Sequence, residues 1–328
     1  YAIVGPLLAG RAGQKSRGSL LASLLVFTVA NLATALSPTV GFFLVARVVA
    51  GAAAGVYSPL SSAVAAELVG QKRRGRSVAL VLAVLAVGTV FGVPVGLALA
   101  QRYGWRAAML LIVVIGGAAL AGIALRGGEL PAIPASAPAE RLRSITRPKN
   151  LLTVTVTLLT GVASLGLYTY LAVVLSAGSL ASHQNMAIWV WGLGGAVGAL
   201  GIGRLVDRCD PLRLSAVILA VLACALAGMT QNEIPGILVV SLFIWGLCGW
   251  ASLAPQQHVL LQANPTDGAT AVAANASANY LGSALGATIG SLLVAAHAAP
   301  TVLCGSASAV AVLALLCQLV RQRMSSKA

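Results

Sequence analysis

Charge is scarce in this chain of 328 residues: only 9% are charged, and Asp and Glu together number seven. An ordinary soluble domain has about 25% charged residues. Here 59% of the residues are hydrophobic, so too few charges remain to cover a water-exposed surface. These proportions argue against a soluble enzyme, a disordered chain and a secreted disulfide scaffold. They predict an all-α membrane protein with several spans.

Patterns for several chemistries are missing as well. The five cysteines show neither paired nor metal-ligand spacing. The sequence contains no P-loop pattern for a nucleotide, and no cluster of Ser, His and Asp typical of a hydrolase. We therefore expect no catalytic residues, no metal and no cofactor, and an intramembrane enzyme is the weakest of the functional alternatives.

Long apolar runs dominate instead. About 20 apolar residues cross the roughly 30 Å of hydrocarbon in a bilayer. Eleven runs are predicted as spans, the first of them a fragment: 1–10, 19–37, 40–68, 77–101, 106–126, 150–176, 184–206, 213–230, 234–256, 268–296 and 298–320. A stretch with four prolines interrupts the series and predicts a linker, 127–149, between an N-terminal bundle, 1–126, and a C-terminal bundle, 150–328.

The basic residues are unevenly distributed. Of 21 Lys and Arg residues, 18 lie in every second connection or in the C-terminal tail, whereas the alternate connections hold only Arg102 and Arg106. Because basic loops stay on the cytoplasmic side, we expect those connections, the linker and the C-terminus to be cytoplasmic in a bacterial-type inner membrane. This distribution explains the net charge of +14 without a nucleic-acid partner.

The chain also contains an internal repeat. The glycine triplet Gly88, Gly92 and Gly96 recurs 194 positions later, and the span 107–125 falls on 301–319 at the same offset. A duplicated unit of six spans accounts for both matches. On this interpretation one whole span and about ten residues of the next precede the first residue of the chain.

Three short sequence motifs lie within the predicted spans or at their ends. Arg47 begins the run Arg-Val-Val-Ala-Gly inside a predicted span. Pro94 lies between the second and third glycines of the first-half triplet, and the sequence Gly-Arg-Leu-Val-Asp-Arg occupies 203–208. These motifs resemble those of the major facilitator superfamily, and within it the twelve-span drug:proton antiporters and the arabinose-efflux-like group.

The resemblance implies a fold and a function. The fold would be two six-helix bundles with pseudo-twofold symmetry, about eleven of whose spans are present here. The function would be secondary active export of a small organic solute or drug by proton antiport with alternating access, in a monomer embedded in the bilayer. Sugars, nucleosides and amphiphilic antibiotics such as chloramphenicol are the substrates that the resemblance suggests. A metabolite importer or symporter of the same fold, and a truncated chain that does not transport, remain open.

Gating roles are predicted for glycines and charges in these motifs. Glycines four residues apart share one helical face and allow another helix to approach closely. The Asp and Arg residues that follow the span 184–206 suggest a charge latch, an ion pair that favours one conformation over another. The predicted gating residues are Gly88, Gly92, Pro94, Gly96, Gly203, Asp207, Arg208 and Arg213. Ordinary small-residue packing and a solvated loop charge are the structural alternatives.

Substrate-binding roles are predicted for polar and aromatic residues inside the spans. The candidates are Arg47, Tyr57, Tyr168, Tyr170, Trp245, Trp250, Gln256, Gln257, Asn275 and Asn279. Buried amides also join helices to one another, and Arg47 could instead extend to the membrane surface. Trp189 and Trp191 are predicted to be interfacial anchors. No acid lies in mid-span, so we expect a neutral or weakly polar solute and a coupling acid in the missing first span.

Overall fold

The computed structural model describes residues 16–68, 95–126, 146–264 and 268–326, together with 84, 88, 91, 92, 128, 130 and 131. The chain divides into two compact units, Tyr1–Ala137 and Pro138–Ala328. The boundary between them falls inside the proline-rich stretch 127–149.

The described part of the N-terminal unit is helical. Its helices are α1 (Ser16–Ala35), α2 (Val40–Leu68) and α3 (Trp105–Leu125), and residues 95–103 are helical too. Small polar residues fit into these apolar helices because their hydroxyls bond to the preceding turn, as Thr28 does to the Leu24 carbonyl (2.8 Å) and Thr34 to the Ala30 carbonyl (2.7 Å). In α1 these two hydroxyl groups are thereby satisfied within the helix, which suits a bilayer environment.

Arg106, one of the few basic residues outside the connections predicted to be cytoplasmic, ties α3 to the end of α1. Its Nε donates to the Ala35 carbonyl and its Nη2 to the Ser37 carbonyl, both at 3.1 Å. The guanidinium lies 4.6 Å from the centre of the Trp105 ring. These contacts satisfy carbonyls that the end of a helix leaves free.

The C-terminal unit contains eight α-helices and a π-helical segment among its described residues. They are α4 (Pro148–Thr160), the π-helix (Gly161–Gly166), α5 (Leu171–Ser176), α6 (Gln184–Arg208), α7 (Pro211–Gly228), α8 (Pro235–Ala251), α9 (Leu253–Ala263), α10 (Gly268–Ala295) and α11 (Pro300–Ser326). Four of these helices begin at proline, whose fixed φ and missing N–H suit the first helical position. Leu222, Leu226, Leu238 and Leu242 are completely buried at the centre of this unit.

Nine helical stretches among the described residues are long and apolar enough to cross a membrane. They correspond to nine of the eleven predicted spans. The other two, 1–10 and 77–101, lie wholly or largely outside the described residues.

Two spans that were predicted as continuous helices are interrupted. The span 150–176 changes to a π-helix at Gly161 and turns at Thr169 and Tyr170 before α5 begins. The span 234–256 stops at Ala251 and continues as α9 to residue 263. Pro255 explains the second interruption, because it has no N–H to donate to the carbonyl four residues earlier.

Candidate functional site

Arg47 is held by a neutral partner. Its Nη1 donates to Asn31 Oδ1 in α1 at 3.0 Å, and Asn31 Nδ2 donates to the Phe27 carbonyl at 2.8 Å. Asn31 is completely buried, whereas Arg47 is exposed within the described unit. Sequence reasoning missed Asn31, although an amide in the middle of an apolar run was a usable signal. The predicted binding role of Arg47 stays a prediction.

Tyr57 lies on the same helix as Arg47 but in different surroundings. It is half-buried beside Leu20, Leu60 and Val64, which form a small apolar cluster of the N-terminal unit. Its position is compatible with packing, and its predicted contact with substrate stays a prediction.

The first glycine triplet has open surroundings. A Cβ atom added to Gly88, Gly92 or Gly96 would meet no atom of the described residues within 4 Å. Pro94, predicted to bend the same helix, lies outside the described residues. The predicted gating contact of this face is therefore not formed with any part of the chain that the structure describes.

The second glycine triplet packs directly on the π-helical segment. A Cβ on Gly282 would collide with the Leu158 carbonyl, and one on Gly286 would come within 2.8 Å of Gly166 Cα. One on Gly290 would overlap the ring of Tyr170. The absence of side chains on α10 allows its backbone to approach the segment that follows α4.

The two tyrosines at the interruption after the π-helix point to different neighbours. Tyr170 donates its hydroxyl to the Ala287 carbonyl on α10 at 2.6 Å. Tyr168 stacks on Trp191 of α6, with ring centres 4.2 Å apart. Both were predicted as binding residues at the end of a span, but they lie where that span turns.

Trp191 belongs to a buried aromatic cluster. It is only 3% exposed, and it contacts Trp245 of α8 edge to face at 5.9 Å. Trp245 is completely buried and donates its indole N–H to Ser164 Oγ in the π-helix at 2.9 Å. The prediction of an interfacial anchor at Trp191 is wrong, because neighbouring helices cover the ring that the sequence placed near the membrane surface.

The cluster extends along α6 and α8. Trp250 is half-buried and covers Gly195, where an added Cβ would lie 2.7 Å from the indole Cδ1. Gly246 lies against the Trp191 carbonyl. Close contact between α6 and α8 therefore depends on glycines that the sequence analysis did not select.

The predicted amides have three kinds of surroundings. Gln256 is buried in α9, and its Nε2 donates to Gln318 Oε1 of α11 at 3.2 Å. Asn275 is completely buried and both of its amide atoms lack a partner among the described residues. Asn279 lies half-buried against Gly161, and Gln257 is half-buried in α9. The hydrogen bond between Gln256 and Gln318 joins α9 to α11. Joining helices is the alternative to substrate binding that was left open for these amides.

The predicted charge latch is only partly described. Arg213 is paired with Asp210 at 3.7 Å, and Asp210 caps α7 by accepting from the Leu212 N–H at 2.8 Å. Gly203 and Arg208 are exposed on α6, and the side chain of Asp207 lies outside the described part of the chain. Asp210, which the sequence analysis did not select, is thus the partner that the structure gives to Arg213.

A second arginine near a helix end is buried rather than solvated. Arg321 of α11 is 3% exposed. Its Nε donates to the Lys149 carbonyl at 2.8 Å and to Thr153 Oγ1 at 3.3 Å, and its Nη1 donates to Ser325. Arg321 was predicted to lie in a basic C-terminal tail, but it joins the end of α11 to the start of α4.

The charged side chains of the nine candidate spans are basic, and all of them lie near a span end except Arg47, which lies within a span. None of the nine candidate spans contains Asp or Glu. The polar atoms available inside them are amides, hydroxyls and indole N–H groups. Such groups recognise a solute through hydrogen bonds and stacking rather than through opposite charge.

Comparison with known proteins decides the family. The model of the Major Facilitator Superfamily matches residues 1–287 and 184–327. The chain belongs to the major facilitator superfamily. It is 27% identical over 300 residues to the inner membrane transport protein YdhP of Escherichia coli K12, covering 89% of this chain and 76% of that protein.

Two further matches extend this result. The chain is 31% identical over 259 residues to a chloramphenicol resistance protein of Streptomyces lividans, covering 76% of this chain and 66% of that protein. The crystal structure of the human organic anion transporter MFSD10 (TETRAN) superimposes with a TM-score of 0.76 at 17% identity, covering 97% of this chain and 80% of that one.

Membership of the superfamily confirms the predicted fold class. The protein is a multi-pass membrane protein and a secondary transporter rather than an enzyme. Its substrates are small molecules, and a lipid bilayer surrounds it.

Proposed function

We propose that this superfamily member exports a small, neutral or weakly polar organic solute, with amphiphilic antibiotics as the first class to test. The observation that carries the proposal is the 31% identity to a protein named for chloramphenicol resistance. The first-half motif of Gly88, Gly92, Pro94 and Gly96, which resembles that of antiporters, supports the outward direction.

The chemistry of the described interior supports this solute class. A polycation would need carboxylates, and the nine candidate spans contain none. Arg47 and the half-buried Tyr57, Tyr168 and Trp250 offer hydrogen bonds and ring faces to a neutral molecule. Alternating exposure of a site between two repeats is the usual mode of secondary transport.

Proton antiport is the second part of the proposal. No nucleotide-binding pattern is present in the sequence, so an ion gradient supplies the driving force. Since the nine candidate spans hold no carboxylate, the group that accepts the proton is expected outside them.

The test uses everted membrane vesicles that contain the full-length transporter. Respiration acidifies the vesicle interior, and adding chloramphenicol is expected to dissipate part of the pH gradient while the solute accumulates inside. Solute movement in the opposite direction would establish an importer. Solute accumulation that persists without a pH gradient would overturn proton coupling.

Arg47→Ala is expected to abolish this exchange, because an intramembrane arginine bonded to neutral Asn31 keeps its positive charge available to a solute or to a proton-accepting group. Arg102→Ala is the matched control: it removes an exposed arginine that contacts the neighbouring Tyr103 ring at 5.5 Å. Normal proton-driven exchange in Arg47→Ala would contradict the assigned role.

A further inference from the structure

Five buried side chains of the C-terminal unit carry polar atoms that have no partner among the described residues. Two of them, Trp191 Nε1 and Ser215 Oγ, lie on α6 and α7, and the other three lie on α4, α9 and α10. These three are Thr157 Oγ1, Gln256 Oε1, and both amide atoms of Asn275. Leaving a buried polar group unsatisfied costs about 1–3 kcal/mol. Three such groups on packed helices therefore need a common explanation.

Helices α4 and α10 run parallel, which fixes the position of two of these groups. A Cβ on Gly161 would lie 3.2 Å from Asn279 Oδ1, and further along both chains a Cβ on Gly286 would lie 2.8 Å from Gly166 Cα. Later residues of α10 thus meet later residues of the α4 segment. Four residues before Gly161 and Asn279, one turn earlier in each helix, are Thr157 and Asn275. We infer that these two side chains face each other.

Gln256 of α9 lies at the same depth in the helix bundle as Thr157 and Asn275. Asn150 Nδ2 of α4 donates to Asn264 Oδ1 at the end of α9, at 3.0 Å. Successive spans alternate in direction, so α9 runs opposite to α4. Two turns away from this contact, towards the middle of the span, are Thr157 on α4 and Gln256 on α9. The three unsatisfied side chains therefore converge where α4, α9 and α10 meet.

The hydrogen bonds of Gln318 fix which end of the Gln256 amide is free. Gln318 Nε2 donates to the Leu212 carbonyl at 2.9 Å, so Gln318 Oε1 must accept from Gln256 Nε2. Gln256 Oε1 is left as an acceptor. It requires a donor from the site.

Thr157 differs from Thr153 and Thr160, which lie about one turn away on either side of it. Thr153 and Thr160 donate their hydroxyls to the carbonyl four residues earlier, at 3.0 and 2.8 Å. Thr157 makes no such bond among the described residues. Its hydroxyl is therefore available at the junction with Asn275.

We propose that one buried water molecule binds between Thr157, Gln256 and Asn275. Buried waters typically make about three hydrogen bonds to polar groups that would otherwise lack partners. Water can donate to Gln256 Oε1 while it accepts from the Thr157 hydroxyl or from Asn275 Nδ2. It would join α4, α9 and α10 just below the π-helix.

Other ligands fit the site less well. The unsatisfied atoms are closed to solvent, so an organic solute has no room. A cation would be repelled by buried Arg321, which bonds to Thr153 one turn from Thr157, and the spans supply no carboxylate to offset its charge. An anion would face the acceptor oxygen of Gln256. The inference is independent of which solute the protein transports.

The direction in which a substitution changes the melting temperature, Tm, tests the proposal. In purified full-length protein, Thr157→Val is expected to lower Tm by about 2 °C, because the water loses a partner. If the site were dry, removing an unpaired hydroxyl would raise Tm instead, and that result would overturn the proposal. Thr160→Val is the matched control, since it removes a buried hydroxyl on the same helix that bonds only within the helix.

A second variant makes the test specific to a shared ligand. Asn275→Leu is expected to lower Tm, and the double variant with Thr157→Val to lose less than the sum of the two, because both changes release the same water. Strictly additive effects would contradict a shared ligand. If Asn275→Leu does not fold, a density map of the unmodified protein decides: ordered water between Thr157 and Asn275 is expected, and direct contact of the two side chains would refute it.

Discussion

The two glycine triplets have the same spacing, lie 194 positions apart and have different surroundings. Gly282, Gly286 and Gly290 are pressed against α4, the π-helix and Tyr170, so that added side chains would collide with backbone or ring atoms. Around Gly88, Gly92 and Gly96 the described residues leave at least 4 Å free. Spacing of four therefore identifies a helical face without side chains, but only the second copy of that face is covered by residues that the structure describes.

The comparison suggests two roles for one duplicated pattern. In the C-terminal unit this glycine face packs against the segment that follows α4. In the N-terminal unit the predicted gating role needs a contact that forms during transport. Substitutions at matched positions of the two triplets separate these roles.

Gly286→Leu should have the largest effect. The new side chain would have to displace Gly166 Cα, 2.8 Å from the Cβ position, and the Val162 carbonyl. Overpacking of this kind costs about 1–3 kcal/mol or more, so we expect a much lower Tm and poor yield of folded protein. Ile289→Leu, on the exposed side of the same helix, is the control. An unchanged Tm in Gly286→Leu would show that the close packing is not required.

Gly92→Leu, at the equivalent position of the first triplet, should leave folding intact and abolish transport. An added Cβ at Gly92 would meet no atom of the described residues within 4 Å, so we expect membrane insertion and Tm to stay near those of the unmodified protein. If this face closes on another helix during the cycle, the leucine blocks closure. Efflux in cells measures the outcome, and retained transport would remove the gating role.

Gly96→Ala and Gly290→Ala should have the smallest effects, with opposite signs. Alanine in a helix is more favourable than glycine by about 0.5–1 kcal/mol, so Gly96→Ala should raise Tm slightly. Gly290→Ala places a methyl group on the Tyr170 ring, whose Cδ2 is 2.7 Å from the Cβ position, and should lower Tm. Changes in Tm of the same sign in both variants would contradict the difference in packing between the two triplets.

Much of the helical framework was predictable. Nine spans were placed within a few residues of the helices that the structure describes, except where a helix was interrupted or extended. Apolar length and proline at the first position are local signals, and Pro148, Pro211, Pro235 and Pro300 mark four helix starts. The π-helix after α4 was missed, because its residues keep the apolar pattern of an ordinary helix.

The surroundings of individual side chains were less predictable. Trp191 was assigned to the membrane surface because it lies near the end of a span, yet Tyr168 and Trp245 cover it. Arg321 was assigned to a basic tail, yet Lys149 and Thr153, far away in sequence, accept its hydrogen bonds. Depth in a span is a local property, whereas burial depends on which helix packs alongside.

The sequence by itself determined that this is a helical membrane transporter of the major facilitator superfamily. The length of its apolar runs, the position of its basic residues and its family motifs are all local features of the sequence. Only the tertiary structure decided which glycine face is covered, which amides keep unsatisfied atoms and which arginine is enclosed. The physical reason is that a bilayer selects helices segment by segment, whereas the partner of a buried group comes from a helix distant in sequence.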